Sequence, residues 1–213
     1  MIAGVHDLPL FIAAGLLLNV TPGADLALIG ARSAAQGFRS GAAAALGVGA
    51  GCFVHVAAAA LGLSALIASS ATAFTVLRWV GAAYLVWLGI GLLRSSGGAV
   101  ATETPTPSLT AWRSFVQGFL TNALNPKVAL FFLAFLPQFI DANASHKALA
   151  FVALGTLFAF NGTIVNVAFA ALVARMRRAF GGQRSSARWA SRGVGAFFVA
   201  LGVRLAFFEG RGS

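Results

Sequence analysis

Residues 148–174 contain no charged side chain. A helix needs about 20 mostly apolar residues to cross the hydrocarbon core of a bilayer, and this run is longer than that. In lipid, every backbone N–H and C=O must be satisfied within the protein, so only helices and closed barrels span. Barrel strands would be about 10 residues long with strict alternation, and the apolar runs here are longer and do not alternate. Charged residues make up 9% of the 213 residues, and mean hydropathy is +0.86. A soluble domain carries about 25% charged residues. The sequence therefore predicts an all-α integral membrane protein.

Six segments are long and apolar enough to span: residues 8–31, 42–67, 71–93, 112–140, 148–174 and 189–208. Arg192 and Arg204 lie near the ends of the sixth, where long side chains snorkel to the interfaces. Residues 95–111 are rich in Ser, Thr, Gly and Pro and read as a linker between two three-helix repeats, 1–94 and 112–213. Residues 1–7 hold no Lys or Arg, so the first run is expected to be retained as a span rather than cleaved.

Lys and Arg in short loops set orientation. Arg32, Arg39, Arg94, Arg113 and six arginines between 175 and 192 fall on one side, ten in all, against Arg78, Lys147 and Arg211 on the other. The ten-residue side is expected to be cytoplasmic, with both termini outside. An odd number of spans per half inserts the second half upside down relative to the first, the arrangement of a 3+3 inverted repeat. Superposing Pro22 on Pro126 also aligns Phe11 with Phe115 and Leu16 with Leu120.

Those two prolines interrupt the first and fourth spans. Pro22 stands in Asn19-Val20-Thr21-Pro22-Gly23-Ala24-Asp25, and Pro126 in Thr121-Asn122-Ala123-Leu124-Asn125-Pro126-Lys127. A proline removes a backbone donor and breaks the ladder. Lipid cannot satisfy the freed groups, so such breaks persist where they are buried in protein or line a cavity. Paired breaks in corresponding parts of two halves point to a transporter binding site. Thr21 is a good N-cap, Pro22 suits a first helical position, and Gly23 allows close approach of a ligand. Such half-helix N-termini suit a carboxylate, and Asn125-Pro126 offers the same.

Asp25 and Lys127 add one charge of each sign beside the breaks. A charge near the bilayer centre costs about 2.5–3.5 kcal/mol on insertion scales and needs a reason. One reading has Asp25 binding a substrate ammonium or a proton while Lys127 and the half-helix ends hold a carboxylate. The other has the two forming a structural pair or reaching backbone at a break. Asn19 and Asn122 flank the breaks as cavity-lining candidates, whereas Asn161 and Asn166 suit bonds between helices. His55, near the middle of the second span, could relay protons or sit as a neutral histidine bonded across to another helix. Gly47 and Gly51 give the spacing of close helix packing.

Several classes are excluded or disfavoured. The net charge of +10 lies in loops beside spans, where it marks topology and contact with the lipid bilayer rather than nucleic acid. Lone Cys52 permits no intrachain disulfide. His6, His55, His146 and Cys52 give no metal-ligand spacing, and no cofactor is implied. Five acids and no paired carboxylates leave little for general acid–base chemistry, which argues against a membrane-embedded enzyme. A channel would show rings of like charge or a carbonyl filter motif, and neither is visible. A channel-like or structural membrane protein is the alternative to a carrier. Gly/Ala faces would permit a homodimer.

Together these residues resemble the lysine exporter (LysE/RhtB) family of amino-acid efflux proteins, in its homoserine/threonine-resistance branch. The stretches that carry the resemblance are Thr21-Pro22-Gly23-Ala24-Asp25 with Ala31-Arg32-Ser33, Gly47 to Gly51 with Val54-His55, residues 60–65, residues 81–89, Gly118 to Lys127, and Leu136-Pro137-Gln138-Phe139. The family usually carries a second proline where this chain has Ala24. The resemblance implies a multi-pass protein of the bacterial inner membrane that exports amino acids or small derivatives by proton antiport.

Overall fold

The computed structural model describes residues 4–63, 72, 76, 79, 83, 86, 90, 109–141 and 143–180. The expected sixth span, most of the third and nearly all of the linker lie outside the described residues. Among those described, the chain is helical, and its only ladder pairing is an isolated antiparallel bridge between Val5 and Ile140.

The elements are α1 (Leu8–Val20), α2 (Ala24–Gln36), α3 (Phe38–Ala58) with a π turn at Ala59–Leu63, α4 (Ala111–Ala123), α5 (Pro126–Ala134) with a 3₁₀ turn at Leu136–Phe139, and α6 (Lys147–Phe180). Local chemistry sets several boundaries. Gly37 separates α2 from α3 with φ 83, a conformation glycine adopts without strain; a Cβ there would meet open space, so conformation alone calls for glycine. Thr110 caps α4, its hydroxyl accepting from the Arg113 N–H at 3.3 Å.

Two helical stretches, Phe38–Gly62 and Lys147–Met176, are long and apolar enough to cross a membrane, each with mean hydropathy 1.9. Two further helix pairs pass the same test jointly but are bent: α1 and α2 by 53°, and α4 with the stretch Pro126–Phe139 by 47°. The described residues thus hold two candidate spans, or four if each bent pair counts as one. Leu46, Phe53, Phe160 and Leu172 stand exposed on α3 and α6, as side chains meant for lipid would.

Helix α3 packs against α4 and α6. Its contact with α4 is made without side chains at three positions. A Cβ on Gly47 or Gly51 would run into the carbonyls of Phe115 and Phe119, and one on Gly118 into the carbonyl of Ala44. Small residues let the backbones touch, which is how helices associate where lipid removes the hydrophobic drive between them. The expected packing role of Gly47 and Gly51 is what the geometry shows.

The main core is aromatic. Phe11 of α1, Phe131, Phe132 and Phe135 of α5, Phe139 of the 3₁₀ turn and Phe158 of α6 are almost wholly buried and stack with centroids 4.6–6.3 Å apart. The start of α1 is pinned to the end of this aromatic stretch: His6 N–H donates to Phe139 O at 3.1 Å, and Asp141 N–H to Gly4 O at 2.9 Å. At the opposite end, Arg32 of α2 donates to Gln117 Oε1 of α4 at 2.8 and 3.1 Å, and Ser40 of α3 bonds Ser114 of α4 at 2.8 Å. The bent pair α1–α2 therefore runs antiparallel to the bent pair α4–α5, with the two bends facing each other.

Candidate functional site

At the first bend, Pro22 has no N–H for the carbonyl of Leu18, four residues back. The chain turns instead: Thr21 N–H donates to Leu18 O at 3.1 Å, and Thr21 Oγ1 to Leu17 O at 2.7 Å. Thr21 therefore closes α1, and Gly23, in extended backbone, stands at the N-cap of α2 without a side-chain cap. This differs from the sequence expectation that Thr21 opens the second half-helix. The hydroxyl finds an acceptor one turn behind it, so it is not available to the N–H groups ahead.

At the second bend, Pro126 leaves the carbonyl of Asn122 without its usual donor. Asn125 N–H takes that carbonyl at 2.9 Å, and His55 Nε2 lies 2.9 Å from it. A carbonyl only accepts, so Nε2 carries the proton. Asn125 caps α5, its Oδ1 accepting from the Lys127 N–H at 3.0 Å, as its sequence context suggested.

The two bends are strapped to each other in both directions. Asp25, in the first turn of α2, accepts through Oδ2 from Asn122 Nδ2 at 2.9 Å and Asn125 Nδ2 at 3.1 Å. Lys127, in the first turn of α5, donates through Nζ to Leu18 O at 3.2 Å and Thr21 O at 3.0 Å. Each break thus receives the charged residue of the other. Charge-assisted bonds of this kind are roughly twice as strong as neutral ones, and here they satisfy groups that lipid could not.

Between the bends lies a cavity with about 450 Å³ of empty space, counted out to its open side. Asn19, Thr21, Gly23, Asp25, Asn122 and Lys127 from the sequence-predicted set line it; Pro22, His55, Asn125 and Pro126 shape the bends without facing it. Val48 and Cys52 of α3, Val128 of α5, and Phe158 and Ala159 of α6 form apolar wall. Gly49, from the Gly47 to Gly51 stretch, also lines it, as do Gly162 and Thr163, which were not singled out in the sequence, where a glycine or threonine in an apolar run carries no distinguishing pattern. Gly162 makes room: a Cβ there would stand 2.8 Å from the Asn19 amide oxygen. Asn166, read from sequence as an interhelical bond, is buried and faces the same space.

Three polar atoms at this site are buried with no hydrogen-bond partner: Asp25 Oδ1, Asn122 Oδ1 and Asn19 Nδ2. Buried polar groups are nearly always paired, so each orphan calls for an explanation. Two acceptors and one donor thus stand without partners at this cavity. No group of three or more His, Cys, Asp or Glu among the described residues is placed to hold a metal ion.

Residues 16–208 match the family of LysE type translocators. An uncharacterized membrane protein of Pseudomonas aeruginosa is 30% identical over 95% of this chain and 96% of its own length. The homoserine/homoserine lactone efflux protein of Salmonella typhi is 30% identical over 92% of this chain and 94% of its own. The leucine efflux protein of Salmonella choleraesuis is 28% identical over 97% of each. No solved structure matches the chain.

Proposed function

The chain belongs to the LysE type translocator family of bacterial membrane transporters, and from that premise we propose that it exports amino acids or small derivatives through the cavity between its two bends. It is a carrier, not an enzyme. The observation that carries the reading is the set of orphaned polar atoms, Asp25 Oδ1, Asn122 Oδ1 and Asn19 Nδ2, at one cavity. A buried carboxylate oxygen without a donor is costly, and a substrate ammonium or a proton would supply one. The Asn19 amide and the uncapped N-terminus of α2 at Gly23 offer donors to a carboxylate.

The substrates named for the relatives, homoserine, its lactone and leucine, are small. Val48, Cys52, Val128 and Phe158 give an apolar side chain a surface to contact. Asp25 supports proton antiport as the coupling: a carboxylate that alternates between a proton and an ammonium would exchange one for the other across the membrane. The antiparallel running of the two bent pairs supports a six-helix 3+3 inverted repeat, residues 1–94 and 112–213 joined by 95–111, with alternating access as one half rocks against the other.

Reconstitution tests it. Labelled leucine or homoserine should move against its gradient when a pH gradient is imposed across liposomes carrying the purified protein. Dissipation of gradients without accumulation would mean a channel, and no movement of any amino acid in a full panel would end the proposal.

A further inference from the structure

Lys127 presents the functional group that an amino acid would bring: a primary ammonium. It is already seated on two backbone carbonyls, Leu18 O at 3.2 Å and Thr21 O at 3.0 Å. Both belong to the C-terminal end of α1, where unsatisfied carbonyls concentrate partial negative charge and favour cations. Pro22 keeps the Leu18 carbonyl from its ordinary helical partner, and Thr21 lies on the cavity wall. The ammonium arrives from the other half of the chain, on a flexible four-carbon stem that allows it to swing.

We propose that the carbonyls of Leu18 and Thr21 form the subsite for the substrate's ammonium group, and that Lys127 is its built-in occupant, displaced when substrate binds. The inference rests on the cavity being the amino-acid site. It reverses the expectation that Lys127 clamps the substrate carboxylate: a side chain whose ammonium caps carbonyls at a helix C-terminus marks a cation subsite. A displaced Lys127 has somewhere to go, because Asn122 Oδ1 stands without a donor in the same cavity. The exchange also balances charge. Asp25 and Lys127 carry opposite signs, and a zwitterion adds no net charge, so loading the site brings no uncompensated ion into the membrane interior. When the site is empty of substrate, the lysine keeps the Thr21 carbonyl from being left bare and adds a second donor to that of Leu18.

The test compares the full-length protein with Lys127→Ala and Lys127→Met in liposomes, reading the KM for counterflow of labelled leucine and of labelled homoserine. Removing a tethered competitor should lower KM about tenfold, as removal of any competing occupant raises the competent fraction. Inhibition by 3-methylbutylamine, which has leucine's amine without its carboxylate, should strengthen in parallel; 2-hydroxy-4-methylpentanoate, which lacks the amine, should change little. A raised or unchanged KM overturns the proposal, and a raised one is what a carboxylate clamp would give.

Should neither variant insert, the wild type still decides. The chain has only two lysines, Lys127 and Lys147, so a sample labelled with ¹³C at lysine Cε gives two signals, assigned with Lys147→Arg. 3-Methylbutylamine should shift the Lys127 signal in a saturable way, and no shift overturns the proposal. This readout needs no transport, so it separates a wrong subsite from a wrong function: a shift in a protein that moves no amino acid would leave the amine subsite standing and remove the carrier.

Discussion

His55 Nε2 lies 2.9 Å from the carbonyl of Asn122, the acceptor from which Pro126 withholds a donor. The imidazole on α3 thus does for the α4–α5 bend part of what a backbone N–H would have done. Replacing it should leave a buried carbonyl undersatisfied, at a cost of about 1–3 kcal/mol. His55→Ala should lower the thermal midpoint of the detergent-solubilised protein. Pro126→Ala returns an N–H to the backbone, so His55→Ala should cost less on that background. A double-mutant cycle of midpoints checks the coupling; strict additivity would show that the two residues do not share the carbonyl.

Asp25→Asn keeps the shape of the side chain and removes its charge. It should insert normally and lose export, since an amide neither holds a proton at working pH nor matches an ammonium. Hydrogen bonds to charged groups contribute about 1.5–3 kcal/mol, which corresponds to a drop of roughly 10- to 100-fold in kcat/KM before any loss of coupling. Flux in liposomes with and without an imposed pH gradient measures both. Full activity with retained gradient response would remove Asp25 from the mechanism.

Asn19→Ala should separate binding from stability. Its Nδ2 has no partner in the folded protein, so little structure depends on it. The thermal midpoint should hold or rise slightly, while KM rises about tenfold, the worth of one hydrogen bond of about 1.4 kcal/mol. A midpoint that collapses would mean the amide is structural.

Gly118→Leu should act on assembly instead. A side chain there meets the Ala44 backbone, which cannot rotate away as a side chain could. Overpacking costs about 1–3 kcal/mol and sometimes more. The expected result is less protein in the membrane fraction and a lower midpoint, with the residual folded protein retaining its KM. Gly62→Ala, where a Cβ meets open space, is the control.

Much of this was legible in the sequence because it follows from what lipid forbids. Apolar runs without charge give spanning helices, and two prolines in such runs mark backbone that must be satisfied elsewhere. Asp25 and Lys127 stand out for the same reason: an ion in that setting needs partners. Which partners they take was not legible. Asp25 meets Asn122 and Asn125 about a hundred residues along the chain, and Lys127 meets carbonyls, which carry no side-chain signature at all. The role of Thr21 was misread because an N-cap and a C-cap hydroxyl look alike in sequence; the choice depends on whether the nearest acceptor lies behind or ahead. Cavity-lining Gly162 and Thr163 were invisible for a simpler reason. Their importance comes from α6 lying against Asn19 at Gly162 and against Gly49 of α3 at Thr163, and one helix's sequence does not say which neighbour it touches.

The glycine-lined contact between α3 and α4 joins two helices far apart in sequence backbone to backbone. Side chains at an interface can change rotamer and follow a partner that moves away; peptide groups in direct contact cannot. Separation there would open a void at once. The contact is therefore the part of this helix pair least able to come apart while the chain stays folded.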